Sequence, residues 1–189
     1  MSRAEQRCWD ERFRNADHAS SDPDPFLFQL INYEQLFPVR RTALDVAAGA
    51  GRHAVWLAQH GWSVTACDVS LEGLRRASAL AAERGVRLSL YCQDLDAASL
   101  PANYFDLVVC FFYLQRNLFS ALKNALRPGG VIVYKTYTIE QKNFPGGPSH
   151  ALHLLNPQEL LDAFRDFRML CYEETVKDRG VAQLIALKR

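Results

Sequence analysis

Two aspartates and two glycines are the residues of this 189-residue chain whose types and spacing could do chemistry. Asp45 lies near the end of an apolar run, and Gly49 and Gly51 follow it closely. Asp68 comes after Gly51 at close to the spacing of roughly 20 residues expected for an acid that accepts hydrogen bonds from ribose hydroxyls. The glycines let the backbone bend sharply and approach a ligand. Together these residues predict a site for a nucleoside.

A strand, a turn and a helix must position these residues. Residues 42–47 form an apolar run that predicts a fully buried strand. Residues 54–58 carry the apolar spacing of the inner face of a helix. Such a helix directs its unpaired N-terminal N–H groups into the crevice beyond the carboxyl end of the strand. A second strand, rich in β-branched residues, is predicted over residues 63–68.

The charge at position 45 separates two classes of ligand. Gly49, Gly51 and Ala54 fit the dinucleotide fingerprint, in which a pyrophosphate binds the helix N-terminus. A carboxylate at Asp45 would repel a pyrophosphate and attract an ammonium or a sulfonium. The sequence therefore favours a cationic nucleoside over NAD, with an ordinary strand-to-helix turn as the plainest alternative.

Residues 45–51, Asp-Val-Ala-Ala-Gly-Ala-Gly, resemble the Asp-x-Gly-x-Gly-x-Gly loop of class I S-adenosylmethionine (SAM)-dependent methyltransferases. Ala47 stands where that family usually has its first glycine. The resemblance continues in residues 105–108, similar to the family's fourth strand, and in residues 126–130, similar to its turn into strand five. Residues 9–13 resemble the entry segment of a subgroup similar to tellurite-resistance methyltransferases.

The resemblance implies an α/β fold: a Rossmann-like, doubly wound, seven-stranded sheet, mostly parallel, with a C-terminal antiparallel hairpin. Strands predicted over 167–176 and 181–188 are joined by a short turn with glycine, which favours that hairpin over a parallel dehydrogenase sheet. We expect one methyltransferase domain over residues 1–189, with a helical N-terminal cap over 1–40 and a SAM-binding α/β core over 41–189.

Several further elements follow from local patterns. Helices are predicted over residues 26–36, 71–84 and 114–126, and a third strand over 87–93. Asn156 followed by proline predicts the N-cap of a late helix. Residues 143–150 predict a long loop suited to be a substrate lid. Three histidines are interpreted as surface or helix residues: His18, His53 and His60.

The resemblance also implies which residues hold the cofactor. Asp45 and the glycine loop would position the methionine part of SAM, Asp68 the ribose, and the segment at Asp94 the adenine. The full set of implied cofactor-binding residues is Trp9, Arg12, Asp45, Ala47, Gly49, Gly51, Asp68, Val69, Asp94, Leu95 and Cys110. Arg12 is either a partner of the methionine carboxylate or a solvated surface residue.

Methyl transfer from a sulfonium needs no metal, and much of its rate can come from orientation and the exclusion of water. A general base is needed only if the acceptor loses a proton. Tyr113 and His153 are the candidate catalytic residues, with Arg116 and His150 nearby in the predicted elements. For each of them packing or solvation is an equally good interpretation. A sulfur, selenium or tellurium acceptor would need no base.

The composition and charge of the chain restrict which kinds of partner and location are expected. The formal charge is +1 without any basic run, so no nucleic acid is expected as a partner. No apolar stretch is long enough for a membrane span, and no signal peptide is expected. Five cysteines without a C-x-x-C pair favour a reducing, cytoplasmic location. We expect a monomer or homodimer that methylates a small molecule and releases S-adenosylhomocysteine. A non-catalytic SAM-binding protein and a NAD-dependent oxidoreductase are the alternatives.

Overall fold

A seven-stranded mixed sheet forms the centre of the protein, as seen in a computed structural model that describes residues 3–15, 21–39 and 41–189. The strand order is β3-β2-β1-β4-β5-β7-β6. β1 to β5 are parallel, and β7 pairs antiparallel with both β5 and β6. This confirms the predicted fold class. The strands are β1 (Arg41–Val46), β2 (Trp62–Asp68), β3 (Ser89–Cys92), β4 (Phe105–Phe111), β5 (Leu126–Tyr137), β6 (Arg168–Thr175) and β7 (Val181–Leu187).

Helices cover the two faces of the sheet. The α-helices are α1 (Arg3–Arg14), α2 (Arg52–Gln59), α3 (Leu71–Glu83), α4 (Leu118–Ala125) and α5 (Glu159–Ala163). Segments of 3-10 helix span Pro25–Leu36, Leu95–Ala97, Ile139–Asn143 and Ala151–His153. One apolar cluster packs α2 and the first 3-10 segment on one face, and a second packs α4 and α5 on the other. Within the described residues, no helix combines the length and the apolar character that crossing a bilayer would require.

β4 is the central strand, and all seven of its residues are buried. Its register places Asp45 of β1 opposite Val109, and Lys135 of β5 opposite Phe111. Because side chains alternate along a strand, all four of these residues point to the face that α2 covers. The carboxyl ends of β1, β4 and β5 therefore present two charged side chains, Asp45 and Lys135, to the same side.

Several element boundaries differ from those predicted. α4 begins at Leu118 rather than at residue 114, because the chain turns at Phe112, whose φ is 57°. β5 begins at Leu126, within the segment 126–130 that was predicted as the turn into strand five, because Leu126 pairs with Phe105. β3 is a shorter, mostly exposed edge strand.

Two helix predictions need correction. The helix predicted over residues 26–36 is a 3-10 helix, with Asp24 at its N-cap. Asn156 is not the N-cap of α5, because that helix begins at Glu159 after Gln158. The Glu159 carboxylate instead accepts a hydrogen bond from the Asn156 N–H at 2.8 Å, so residues 156–158 form a turn ahead of the helix.

Candidate functional site

Asp45 is a buried carboxylate at the carboxyl end of β1, and only 1% of its surface is exposed. Its Oδ2 accepts a hydrogen bond from the N–H of Ala54, in the first turn of α2, at 3.0 Å. Burial raises the pKa of Asp45 to about 7; the Ala54 N–H lowers it, and the charge of Asp68 raises it further. The carboxylate is therefore expensive to keep charged unless a cation approaches.

Asp68 ties the glycine loop to the start of α3. Its Oδ2 accepts from the Gly49 N–H and its Oδ1 from the Ser70 N–H, both at 2.8 Å. Burial raises the pKa of Asp68, against the opposing effect of these two N–H groups. Across the described residues, neither Asp45 nor Asp68 forms an ion pair with a lysine or arginine.

The two glycines of the loop make room for protein side chains. Both adopt positive φ, 53° at Gly49 and 78° at Gly51, as the predicted sharp turn requires. A Cβ at Gly49 would lie 2.8 Å from the Phe13 ring, and one at Gly51 would lie 2.6 Å from the Ala77 Cβ. We predicted that these glycines admit a ligand. In the structure, the contacts that forbid a Cβ are with Phe13 of α1 and Ala77 of α3.

α1 covers this loop. Phe13 is buried against Gly49, and the centres of the Trp9 and Phe13 rings are 6.1 Å apart. Asp10 fixes the helix in place, because its Oδ1 accepts from the Ser70 hydroxyl at 2.6 Å. Arg12 is exposed, with its guanidinium carbon 5.0 Å from the centre of the Trp9 ring.

The remaining implied cofactor residues lie at the ends of neighbouring strands. Ala47, at the end of β1, has a φ of 56° and is half-buried. Val69 follows β2 and is buried. Asp94 is half-buried and caps a 3-10 turn, accepting from the Asp96 N–H at 2.9 Å, and Leu95 beside it is 2% exposed. Cys110 of β4 is fully buried.

Tyr113 has a buried hydroxyl oxygen that no group within the described ranges bonds. Burial raises the pKa of Tyr113, and the negative charges of Asp94 and Asp68 add to that effect. Its carbonyl, by contrast, accepts a hydrogen bond from the Tyr134 hydroxyl at 2.8 Å. Because unpaired buried hydroxyls are costly, this phenol is a candidate for bonding a ligand atom.

His153 lies elsewhere, on the exposed 3-10 segment Ala151–His153. Its N–H donates to the carbonyl of His150, and the two rings are 6.1 Å apart. Arg116 anchors this segment to the start of α4, donating to the Leu152 and Leu154 carbonyls and to the Glu159 carboxylate. These bonds assign Arg116 to holding the chain in position.

A second cluster of buried charge, formed by Asp24, His53 and Lys135, was missed by sequence reasoning. The Lys135 ammonium pairs with Asp24 Oδ1 at 2.8 Å, and the Asp24 N–H donates to His53 Nε2 at 3.2 Å. His53, interpreted as a surface or helix residue, does lie on a helix but is only 4% exposed, because its ring stacks on Phe111 at 4.1 Å. Burial lowers the pKa of His53 to about 3. His60 is exposed as expected, and His18 lies outside the described residues. A lone lysine in an apolar strand was the available signal.

The geometry fits a cationic nucleoside better than a phosphate-bearing one. Two buried carboxylates that form no ion pair among the described residues, Asp45 and Asp68, lie beside the glycine loop. The Tyr113 hydroxyl, which has no partner among the described residues, adds an unused polar atom whose pKa is raised mainly by burial and further by the charges of Asp94 and Asp68. No group of three or more metal-ligating side chains occurs in the part of the chain that the structure describes.

Comparison with known proteins gives consistent matches. Residues 43–130 match the family model described as a methyltransferase domain. The tRNA 5-carboxymethoxyuridine methyltransferase of Escherichia coli K12 is 30% identical over 111 residues, covering 54% of this chain and 42% of that protein. A ubiquinone biosynthesis O-methyltransferase of Idiomarina loihiensis is 30% identical over 122 residues, covering 61% and 50%. The chain spans about half the length of these curated relatives.

Among solved structures, TehB from Haemophilus influenzae superposes with a TM-score of 0.71. The superposition covers 86% of this chain and 62% of that chain at 17% identity. A likeness at this identity is one of fold.

Proposed function

We propose that this chain, in which residues 43–130 match a methyltransferase domain, is a SAM-dependent methyltransferase that methylates a small-molecule acceptor by direct in-line transfer. The observation that carries this proposal is a pair of buried carboxylates, Asp45 and Asp68, beside a tightly bent glycine loop; neither forms an ion pair within the described part of the chain. When bound, SAM supplies a methyl group whose bond to sulfur breaks as a lone pair of the acceptor bonds to the carbon, leaving S-adenosylhomocysteine.

The protein's own part is binding and orientation. In this proposal Asp45 and the loop residues Ala47, Gly49 and Gly51 hold the methionine part, and Asp68 accepts from the ribose hydroxyls. The adenine would lie between Val69 and the segment of Asp94 and Leu95, with Cys110 behind it. Trp9 and Arg12 of α1 would close the site from above, where an aromatic face suits a sulfonium. Residues 1–40 would act as a cap on the core, 41–189.

Tyr113 and His153 remain the proposed acceptor-side residues. Tyr113 is supported by its buried hydroxyl, which has no partner within the described ranges and can donate to a ligand atom. His153 is exposed on the segment after β5, so its role depends on a bound acceptor approaching that segment. A base is required only when the acceptor loses a proton.

The small size of the acceptor is supported by the charge of the chain. The two relatives carry tRNA and ubiquinone biosynthesis in their names, so both a large and a small acceptor occur among similar proteins. With a formal charge of +1 and no basic run, this chain lacks the electrostatic signature of tRNA binding. A cytoplasmic monomer or homodimer belongs to the same proposal.

Calorimetry followed by a turnover assay tests the proposal. We expect SAM and S-adenosylhomocysteine to bind the full chain and NAD⁺ to give no heat. Release of S-adenosylhomocysteine is then measured over thiol, oxyanion and hydroxyl acceptors, with tRNA as a further acceptor. Binding of NAD⁺ in place of SAM would overturn the family assignment of the site. Binding of SAM without turnover of any acceptor would favour the non-catalytic alternative, and turnover of tRNA alone would overturn the small-molecule acceptor.

A further inference from the structure

The cluster of Asp24, His53 and Lys135 lies at the carboxyl ends of β4 and β5, and the proposed cofactor site does not use it. Lys135 is directly opposite Phe111 of β4, whereas Asp45 lies on β1, at the other side of β4. Because neighbouring strands are spaced by about 4.8 Å and the two residues are offset by two positions along β4, they are roughly 12 Å apart. The cluster is thus next to the cofactor site and outside it, where ligands of open α/β sheets bind.

Stability alone does not explain a lysine at this position. Lys135 lies in an interior strand, its side chain is 14% exposed, and Val133 before it on the same face is fully buried. A buried ion pair repays little more than the cost of removing its charges from water, and apolar residues of similar volume are often as stable. A use for the ammonium group is the better explanation.

Asp24 keeps its position without the lysine. The Phe26 N–H donates to its Oδ1 at 2.9 Å, and its own N–H donates to His53. His53 is in turn fixed by stacking on Phe111. Lys135, with four rotatable bonds in its side chain, is the partner that can move. The pair can therefore open without unfolding the start of the 3-10 segment.

An aromatic surface adjoins the ammonium group. Phe112 has a φ of 57°, an uncommon conformation for a bulky residue, and its N–H donates to the Lys135 carbonyl at 2.7 Å. The Phe112 ring is 5.7 Å from the Lys135 Nζ, 5.9 Å from the Arg52 guanidinium carbon and 5.1 Å from the Tyr137 ring. Such strained residues cluster at ligand sites.

We propose that Lys135, with Arg52, binds a carboxylate carried by the methyl acceptor, while Phe112 and Tyr137 contact its apolar part. Asp24 is then the resident counter-ion that the carboxylate replaces. This inference rests on the proposed function and names its substrate class, a small carboxylate-bearing molecule.

Benzoate and benzamide are the matched probes, since they share a ring and differ in charge. Binding to the full chain saturated with S-adenosylhomocysteine is followed by NMR line broadening of the probe, which detects weak complexes. We expect benzoate to bind at least about tenfold more tightly than benzamide, as a charge-assisted contact provides. Lys135→Met should remove that preference, Lys135→Arg should retain it within about threefold, and Asp24→Asn should strengthen benzoate binding by freeing the ammonium.

Three results would overturn the inference: equal binding of the two probes, an unchanged preference in Lys135→Met, or its loss in Lys135→Arg. Circular dichroism checks that each variant is folded, and the Arg variant keeps the test valid if Lys135→Met does not fold. Failure of S-adenosylhomocysteine to bind would instead count against the proposed function. The benzoate titration can still be run in that case without the nucleoside.

Discussion

Two groups of buried charge lie on the same face of the sheet, on either side of β4, and they are satisfied in different ways. Asp45 and Asp68 accept hydrogen bonds from main-chain N–H groups and form no ion pair within the described chain. Asp24 pairs with Lys135 and is anchored through His53. The first group is electrostatically incomplete and suits a cationic ligand. The second is complete, so a ligand there must exchange with a charge already present.

Replacing one carboxylate in each group should show most clearly whether only the first group binds SAM. Asp68→Asn keeps a hydrogen-bond acceptor but loses the charge, and we expect SAM to bind about 100-fold more weakly, because charge-assisted bonds are worth roughly 1.5–3 kcal/mol. Asp24→Asn should leave SAM affinity within about threefold, since it lies outside the proposed cofactor site. Calorimetry measures both, and thermal unfolding shows that both are folded. A similar loss of SAM affinity in the two variants would contradict the assignment of the two groups to different ligands.

His53 should make the second group sensitive to acid. Its folded pKa of about 3 lies below the ordinary 6.5, so the unfolded chain takes up the proton first and this contribution to stability is lost as the pH falls from 6.5 towards 3. His53→Gln retains an acceptor for the Asp24 N–H without titrating. Between pH 6.5 and 4.5 we expect the variant to gain roughly 2 kcal/mol relative to the wild type.

Urea unfolding at the two pH values checks this difference. Asp45 has a raised folded pKa, so its contribution to stability changes with pH in the opposite direction. The quantity to compare is therefore the difference in unfolding free energy between the variant and the wild type at each pH. His60→Gln, at an exposed position, is the control and should show no such gain. A parallel pH dependence in His53→Gln and the wild type would count against a buried neutral imidazole.

Asp45 should make cofactor binding depend on pH. With a folded pKa of about 7, its carboxyl group is protonated below neutrality and charged above it, so affinity for a cationic nucleoside should rise with pH. We expect Asp45→Asn to bind SAM about tenfold more weakly than the wild type near pH 8 and about equally near pH 5.5. The ligand's own titration affects both proteins alike. Calorimetric titrations across this pH range measure both affinities. A ratio of wild-type to variant affinity that does not change with pH would mean that Asp45 does not contact the cation.

The smallest effect is expected at Tyr113. Removing its buried hydroxyl, which lacks a partner in the described chain, should stabilise the ligand-free protein by about 1 kcal/mol and, because Tyr113 is a proposed acceptor-side residue, leave SAM affinity within about threefold. Tyr134→Phe is the matched control, because the Tyr134 hydroxyl donates to the Tyr113 carbonyl and its loss should destabilise the fold. Thermal unfolding and calorimetry measure the two variants. Destabilisation by Tyr113→Phe would mean that the hydroxyl already has a partner.

The positions of the candidate cofactor residues in the fold were largely predictable from sequence, and the second cluster was not. Asp45 and Asp68 lie at the carboxyl ends of an apolar and a β-branched strand, so local patterning indicates both the element and the direction of the side chain. Asp24, His53 and Lys135 come from a loop, a helix and a strand far apart in the chain, and only tertiary packing brings them together.

The predicted helix boundaries were wrong where backbone conformation overrides the apolar spacing of the sequence. The residues before α4 carry helical spacing, yet the positive φ of Phe112 turns the chain and delays the helix to Leu118. Asn156 has the type of an N-cap, but Glu159 bonds back to its N–H, so the helix begins later. Neither side-chain type nor spacing encodes such competing bonds.

The contact between Phe13 and Gly49 has a consequence for sequence variation. A methyl group at position 49 would collide with the Phe13 ring, so an alanine there requires a smaller residue at position 13 as well as a tolerated φ of 53°. Substitutions at positions 13 and 49 should therefore occur together. Motif comparisons that score the loop alone would misjudge a chain in which both had changed.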